Sequence, residues 1–456
     1  MQDTQQNKSL SPAPRILIAG ATVLTMDSRN TVHAPGDIAI EGSKLIYVGR
    51  PTGIASVDVS SPSPALPAGW RPDRVIDGRG KLAMPGLVNT HTHAAMTLLR
   101  GVAEDLPIKE WLETKVFPLE DKLDGEAVNW GTKLAALEMI RTGTTTFADF
   151  YFFMEDAARA VEESGLRACL SRGLTDIAGG GEQRLSEARA LFRNWHGQAD
   201  GRITTALAPH APYTCSPAFL EQVVEAAHQM DVGIFTHIDE GRGEEEEFQK
   251  RYGISEVAML EKVGLFTRPV VAAHCVHVSE PDLDILARNG VVVAHNPTSN
   301  MKLSSGAAPV RRMLEKGIRV GIGTDGAASN NDLDMFEEMR LAALLQKLVT
   351  ADPTSLPASQ VVAMATREGA AALGLSGVTG RLEAGLAADL VLLNWRQAHF
   401  APWHDPYSNM VYAAHGLDVE MTIVNGRILL ENGRVLSLDE ERVLFESERM
   451  AKKLLA

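Results

Sequence analysis

The stretch Leu87–Gly101, LVNTHTHAAMTLLRG, carries His91 and His93 at the end of an apolar run. On a strand, residues two apart point to the same face, so both imidazoles would be offered on one side. Such a pair either lies half-exposed on a surface or grips a metal ion. Later apolar runs end in similar residues: His210 in TALAPH, His237 and Glu240 in THIDE, His274 and His277 in AAHCVH, His295 in VVVAHN, and Asp325 in GTDG. Zinc takes imidazole nitrogen and carboxylate oxygen, and a catalytic zinc keeps a position open for water. His91, His93, His237 and Asp325 make a suitable set. Iron or manganese accepts the same donors, so the ligands alone do not name the metal.

These residues need a scaffold that brings distant segments together. From Leu87 onward, eight apolar runs alternate with amphipathic stretches such as GEAVNWGTKLAALEMIRTG and PAFLEQVVEAAHQMD. Eight strand–helix units in series predict a (β/α)8 TIM-type barrel of the α/β class. The C-terminal ends of its strands form one rim, where all the residues named above would converge. Both chain ends instead read as β structure. RILIAGATVLTMD, GDIAIEGSKLIYVG and DRVIDGRGKLAMPG precede the barrel, and AADLVLLNW and VEMTIVNGRILLENGRVLS follow it. The expected organisation is a disordered leader over 1–13 and the first part of a small β-sandwich over 14–83. The barrel then covers 84–380, the second part of the sandwich 381–436, and a closing helix 437–456. The Pro/Ser-rich segment PTGIASVDVSSPSPALPAGWRPD reads as an exposed loop.

Composition narrows the setting. A length of 456 residues suits a large barrel with an appendage. The formal net charge of -14 argues against a nucleic-acid partner. No run approaches the ~20 apolar residues that cross a bilayer, so no membrane partner is expected. The polar N-terminus lacks the apolar core of a secretory signal. Cys169, Cys215 and Cys275 have no paired spacing, which fits a reducing cytoplasm. Homo-oligomerisation stays open.

The stretches PGLVNTHTH, HIDE, AAHCVH, AHNPTSNMKL and GTDGAASNN resemble the amidohydrolase superfamily over essentially the whole chain. EWLETKVFPLED and GTDGAASNNDLDMFEEMRLAALLQK are similar to the 5-methylthioadenosine/S-adenosylhomocysteine deaminases within it. Two-metal members carry a carboxylated lysine at the end of strand four. TALAPH places His210 there with no lysine nearby, which implies one zinc ion per chain.

The resemblance implies hydrolytic deamination of an adenosine thioether. Asp325 would ligate the metal and also accept a proton from the attacking water, while His274 would aim that water. Glu240 would protonate a ring nitrogen and help ammonia leave, as a general acid. Glu120 in FPLED would accept hydrogen bonds from ribose hydroxyls. His210 would meet a purine nitrogen. Arg184 matches an arginine that meets the amino-acid carboxylate of S-adenosylhomocysteine; the alternative is an ordinary surface arginine. Trp111 is either a wall of the ligand site or core packing.

Other residues take plainer readings. Cys275 reads as buried packing, and His277 and His295 as supporting or structural residues. Glu244–Glu247 read as a solvated helix start, and Gly179–Gly181 as a flexible loop. HNPTSN reads as a rigid loop supporting the rim. Two other functions compete. A hydrolase acting on an s-triazine or another aminated or halogenated ring would use the same metal, aspartate and glutamate. A non-catalytic barrel scaffold would need none of them.

Overall fold

Strand segments that are apolar throughout can be buried on both faces, and the sequence supplies eight of them in series. The computed structural model describes residues 14–53, 66–67, 69–102 and 104–456. The leader over 1–13 and residues 54–65 of the Pro/Ser-rich loop lie outside the described residues.

The barrel strands run Leu87–Thr92, Thr144–Tyr151, Arg167–Leu174, Ile203–Thr205 with Ala208–Pro209, Ile234–Ile238, Val270–His274, Val292–His295 and Arg319–Ile322. Every residue of the first two is buried, as are all of those in the fifth, sixth and seventh. Neighbouring strands pair in parallel from the first to the fourth and again from the fifth to the eighth. Leu207 bridges the fourth strand to the fifth. Between the eighth and the first, the Asp325 amide donates to the His91 carbonyl at 3.0 Å, and the Asn89 side-chain amide donates to Thr324 Oγ1 at 2.7 Å. The architecture is mixed α/β of the TIM-barrel type. Helices such as Gly125–Arg141 and Pro217–Met230 follow the strands and bury their apolar sides in one large core.

Three details differ from the sequence reading. HNPTSN, read as a loop, instead enters the short helix Pro297–Lys302. The first strand stops at Thr92, and His93 starts a short 3-10 helix, Ala94–Leu99. The pair therefore straddles a strand end. Gly179 and Gly180 have φ of 85° and 78°, and Gly180 caps the helix Gly181–Trp195, so the glycine run is a helix start. Left-handed backbone suits glycine because it has no Cβ.

The two chain ends meet in one nine-stranded sheet. Leu390–Asn394, from the C-terminal part, pairs antiparallel with Lys81–Pro85, from the N-terminal part. A buried ion pair links this sheet to the barrel: Arg167 Nε lies 3.0 Å from Asp389 Oδ2, and Asp389 Oδ1 also accepts the Asn425 amide. The closing helix spans Glu440–Leu455, with Asp439 accepting the Arg442 amide at its start. No helix among the described residues is long and apolar enough to cross a membrane.

Candidate metal centre and substrate cavity

Position at a strand end decides which side chains meet. His93 Nδ1 is 2.7 Å from the Phe150 carbonyl at the end of the second strand, which leaves Nε2 facing the barrel axis. The His237 amide donates to the His210 carbonyl, and their rings lie 4.7 Å apart. His91, His93 and His237 offer ring nitrogens within 4.8 Å of one another, as do the ligand atoms of His91, His274 and Asp325. Asp325 Oδ1 lies 3.3 Å from His91 Nε2 and 3.5 Å from His93 Nε2. Its other oxygen accepts the hydroxyls of Ser299, at 2.7 Å, and Ser329, at 2.9 Å. The carboxylate is thus fixed with one edge toward the imidazoles.

This set fits a metal ion. His91 Nε2 is buried and, apart from the 3.3 Å contact with Asp325 Oδ1, makes no well-aligned hydrogen bond among the described residues, which is costly unless something binds it. Burial holds His91 down to about 4, against the opposing pull of Asp325, and lowers His93 and His237 too. Neutral imidazoles are the form that ligates. Burial alone would raise Asp325, but His91 and the neighbouring imidazoles keep it well below its ordinary value.

His274 and Glu240 stand beside the cluster. Asn300 Oδ1 holds His274 Nδ1 at 2.9 Å, so Nε2 points to Glu240 Oε2, 3.7 Å away. Burial pushes Glu240 up to about 7, although His274 works against it. Burial pulls His274 down, but Glu240 and Asp325 outweigh it and the net shift is upward.

A cavity of about 910 Å³ opens from this centre. His93, His210, His237, Glu240, His274 and Asp325 line it. Trp111, Glu120 and Arg184 line it too, so every residue given a ligand, catalytic or substrate role reaches one space except His91, and His277 and His295 do not line it. Trp111 is 5% exposed; it packs in the core and also lines the cavity. Glu120 ends the short helix Phe117–Glu120 and faces the Tyr151 hydroxyl. Burial raises its carboxyl to about 7, against the lowering effect of that hydroxyl. Arg184 Nη1 donates to the Thr175 carbonyl at 3.0 Å and also to that of Gly179.

Several site residues escaped the sequence reading. Arg172, at the end of the third strand, lines the same cavity. Its guanidinium lies 5.1 Å from the Phe152 ring centroid and its Nε donates to Glu187 at 2.7 Å. Its strand-end position was the available signal. Ser299 and Asn300 lie in HNPTSN, read as a support of the rim, but their partners and that of Ser329 are not revealed by spacing. Asp149 accepts the Ala94 amide at 2.9 Å and fixes the turn after His93. The plainer readings of Cys275 and His277 agree with the structure: the thiol is fully buried, and His277 Nε2 meets the Ser305 carbonyl at 2.7 Å. Glu244 and Glu245 differ from a solvated run, since they accept the Gly241 and Glu256 amides.

The model of the amidohydrolase family matches residues 82–429. A protein of Pelotomaculum thermopropionicum, named 5-methylthioadenosine/S-adenosylhomocysteine deaminase, is 50% identical over 440 residues, covering 96% of this chain and 99% of its own. A 5'-deoxyadenosine deaminase of Methanosarcina mazei is 48% identical over 443 residues, covering 97% and 98%. Among solved structures, an adenosine deaminase from Xanthomonas campestris with bound zinc is 34% identical and superimposes with a TM-score of 0.90, over 98% of this chain and all of that one.

Proposed function

Because the chain belongs to the amidohydrolase family, we propose that it hydrolyses the amino group of an adenosine thioether, giving the inosine form and ammonia. The substrates in view are 5'-methylthioadenosine and S-adenosylhomocysteine, with adenosine and 5'-deoxyadenosine as smaller relatives. One observation carries this reading. A single cavity is lined by His93, His237 and Asp325 of the ligand set, the buried acid Glu240, the Glu120 carboxylate and two arginines.

His91, His93, His237 and Asp325 would hold about one zinc ion per chain, in a site with three imidazoles and a carboxylate. Such an ion supplies a water acidic enough to attack at neutral pH. Asp325 takes up the proton that water releases, and the Ser299 and Ser329 hydroxyls keep its edge in place. His274, held by Asn300, aims the attack. Glu240 keeps its proton near pH 7 and delivers it to the purine ring nitrogen beside the amino-bearing carbon. His210 steadies the ring from the fourth strand. Glu120 accepts the ribose hydroxyls, and Arg184 with Arg172 meets the carboxylate of S-adenosylhomocysteine. An s-triazine has neither ribose hydroxyls for Glu120 nor a carboxylate for the arginines.

The remaining organisation follows the same reading. Residues 14–83 and 381–436 form the two parts of one β unit, around the barrel of 84–380 and before the helix of 437–456. We read the nine-stranded sheet as folding over into a sandwich, supported by a separate apolar cluster that includes Ile18, Ile38, Leu390 and Ile423. Three unpaired, buried thiols fit a reducing cytoplasm.

A substrate panel tests the function. Loss of adenine absorbance is expected for methylthioadenosine and S-adenosylhomocysteine. No turnover of any nucleoside by zinc-loaded protein would overturn the proposal.

A further inference from the structure

Strand geometry alone would not put Glu240 where it is. On a regular strand, residues two apart share a face, so His237 would share its face with Asp239 and not with Glu240. Yet His237 and Glu240 both line the cavity. The difference lies at Asp239, whose φ is 48°. This left-handed step swings Glu240 round toward His274. Such backbone is unfavourable for a residue with a Cβ and needs surroundings that hold it.

Those surroundings are visible. The Asp239 carbonyl accepts the amides of Val276, at 3.0 Å, and His277, at 3.1 Å. The Ile238 carbonyl accepts the Cys275 amide at 2.9 Å. His274 and Cys275 are left-handed as well, with φ of 71° and 47°. Strands five and six therefore end in two kinks locked together. The Asp239 amide has a side-chain partner: Glu256 Oε2, at 3.0 Å. Glu256 opens the helix Glu256–Lys262, is 1% exposed, and reaches back across to the strand end.

We propose that Glu256 is a positioning residue that sets the Asp239 kink and so aims Glu240 at the substrate. The proposal rests on Glu240 being the proton donor. What matters is the reach of an acceptor oxygen to the Asp239 amide. Charge is secondary, because a glutamine carbonyl oxygen at the same place accepts the same bond.

Glu256→Gln and Glu256→Asp separate these terms. Glutamine keeps the reach and cannot ionise, whereas aspartate keeps the carboxyl group and falls one methylene short. In the zinc-loaded enzyme, Glu256→Gln should retain kcat within about 3-fold, and Glu256→Asp should lose roughly 10- to 100-fold. KM for methylthioadenosine and zinc content should be unchanged in both. Equal losses in the two variants, a loss confined to glutamine, or no loss in either would each overturn the inference. Glu240→Gln in the same assay keeps the two ideas apart. If it stays active, the assignment of the acid is wrong; if it is inactive while Glu256→Asp is normal, only the positioning role fails.

Discussion

His274 Nε2 lies 3.7 Å from Glu240 Oε2, both lining the cavity, with His274 beside the imidazoles of His91 and His237. Asn300 fixes the far nitrogen of His274, so the two side chains face each other across the space where a ring amine would react. A base-like and an acid-like group on adjacent strand ends is the arrangement a hydrolytic deamination requires.

The first expectation concerns pH. In the proposed role Glu240 acts with its proton on, and burial raises it to about 7. The protonated fraction falls as pH rises through that value, so kcat should decline above about pH 7. Glu240→Gln should lose about 10²- to 10⁴-fold in kcat while keeping the metal. A pH–rate profile and metal analysis of both proteins check this. A flat alkaline profile in the wild type would remove Glu240 from the role.

A second expectation concerns the metal ligands. His91→Ala and Asp325→Ala should each bind far less zinc than the wild type, measured by elemental analysis after dialysis. Ser299→Ala removes only one hydroxyl from Asp325 Oδ2 and should lower metal affinity by roughly 10- to 100-fold. Full zinc content in His91→Ala and Asp325→Ala would contradict the assigned set.

Stability of the metal-free protein should also follow pH. His91, His93, His210, His237 and His295 are all pushed below 6.5 by burial. A histidine whose pKa is lower in the folded state leaves the unfolded chain binding more protons, so stability falls with pH. His274 is shifted upward and opposes them. Buried carboxyls raised in the fold, such as Asp149, Glu256 and Glu338, also oppose them as pH falls from about 6.5 toward 4. The histidine contribution is therefore read by comparison: in thermal melts in a chelator, the Tm of His295→Gln should fall less with acid than that of the wild type.

Substrate contacts give a crossed pattern. Glu120→Ala should cost roughly 10- to 150-fold in kcat/KM on nucleosides, the worth of a hydrogen bond to a charged group. The loss should shrink on a 2',3'-dideoxy substrate. Arg184→Ala and Arg172→Ala should impair S-adenosylhomocysteine and spare methylthioadenosine, which has no carboxylate. Equal losses on every nucleoside would make these residues structural.

What the sequence reveals depends on how a residue acts. His91, His237 and Asp325 are legible because histidines and an aspartate at the ends of apolar runs suit metal chemistry, and a barrel must gather them. The eight runs are legible for the same physical reason: strands buried on both faces must be apolar throughout. Ser299, Ser329 and Glu256 are hidden because each works through one contact with a residue 26, 4 or 17 positions away. Arg172 sits on a strand end that the sequence marked, yet nothing local tells a cavity arginine from a surface one. The left-handed backbone at Asp239 carries no sequence signal, since aspartate is common in every kind of loop.

The central claim is deamination of an adenosine thioether, and product analysis tests it most directly. Zinc-loaded protein is incubated with 5'-methylthioadenosine, and the nucleoside and ammonia are quantified together. The expected result is the inosine form and ammonia in equal amounts, lost in Glu240→Gln. Unchanged methylthioadenosine in the presence of fully metallated wild-type protein would contradict it.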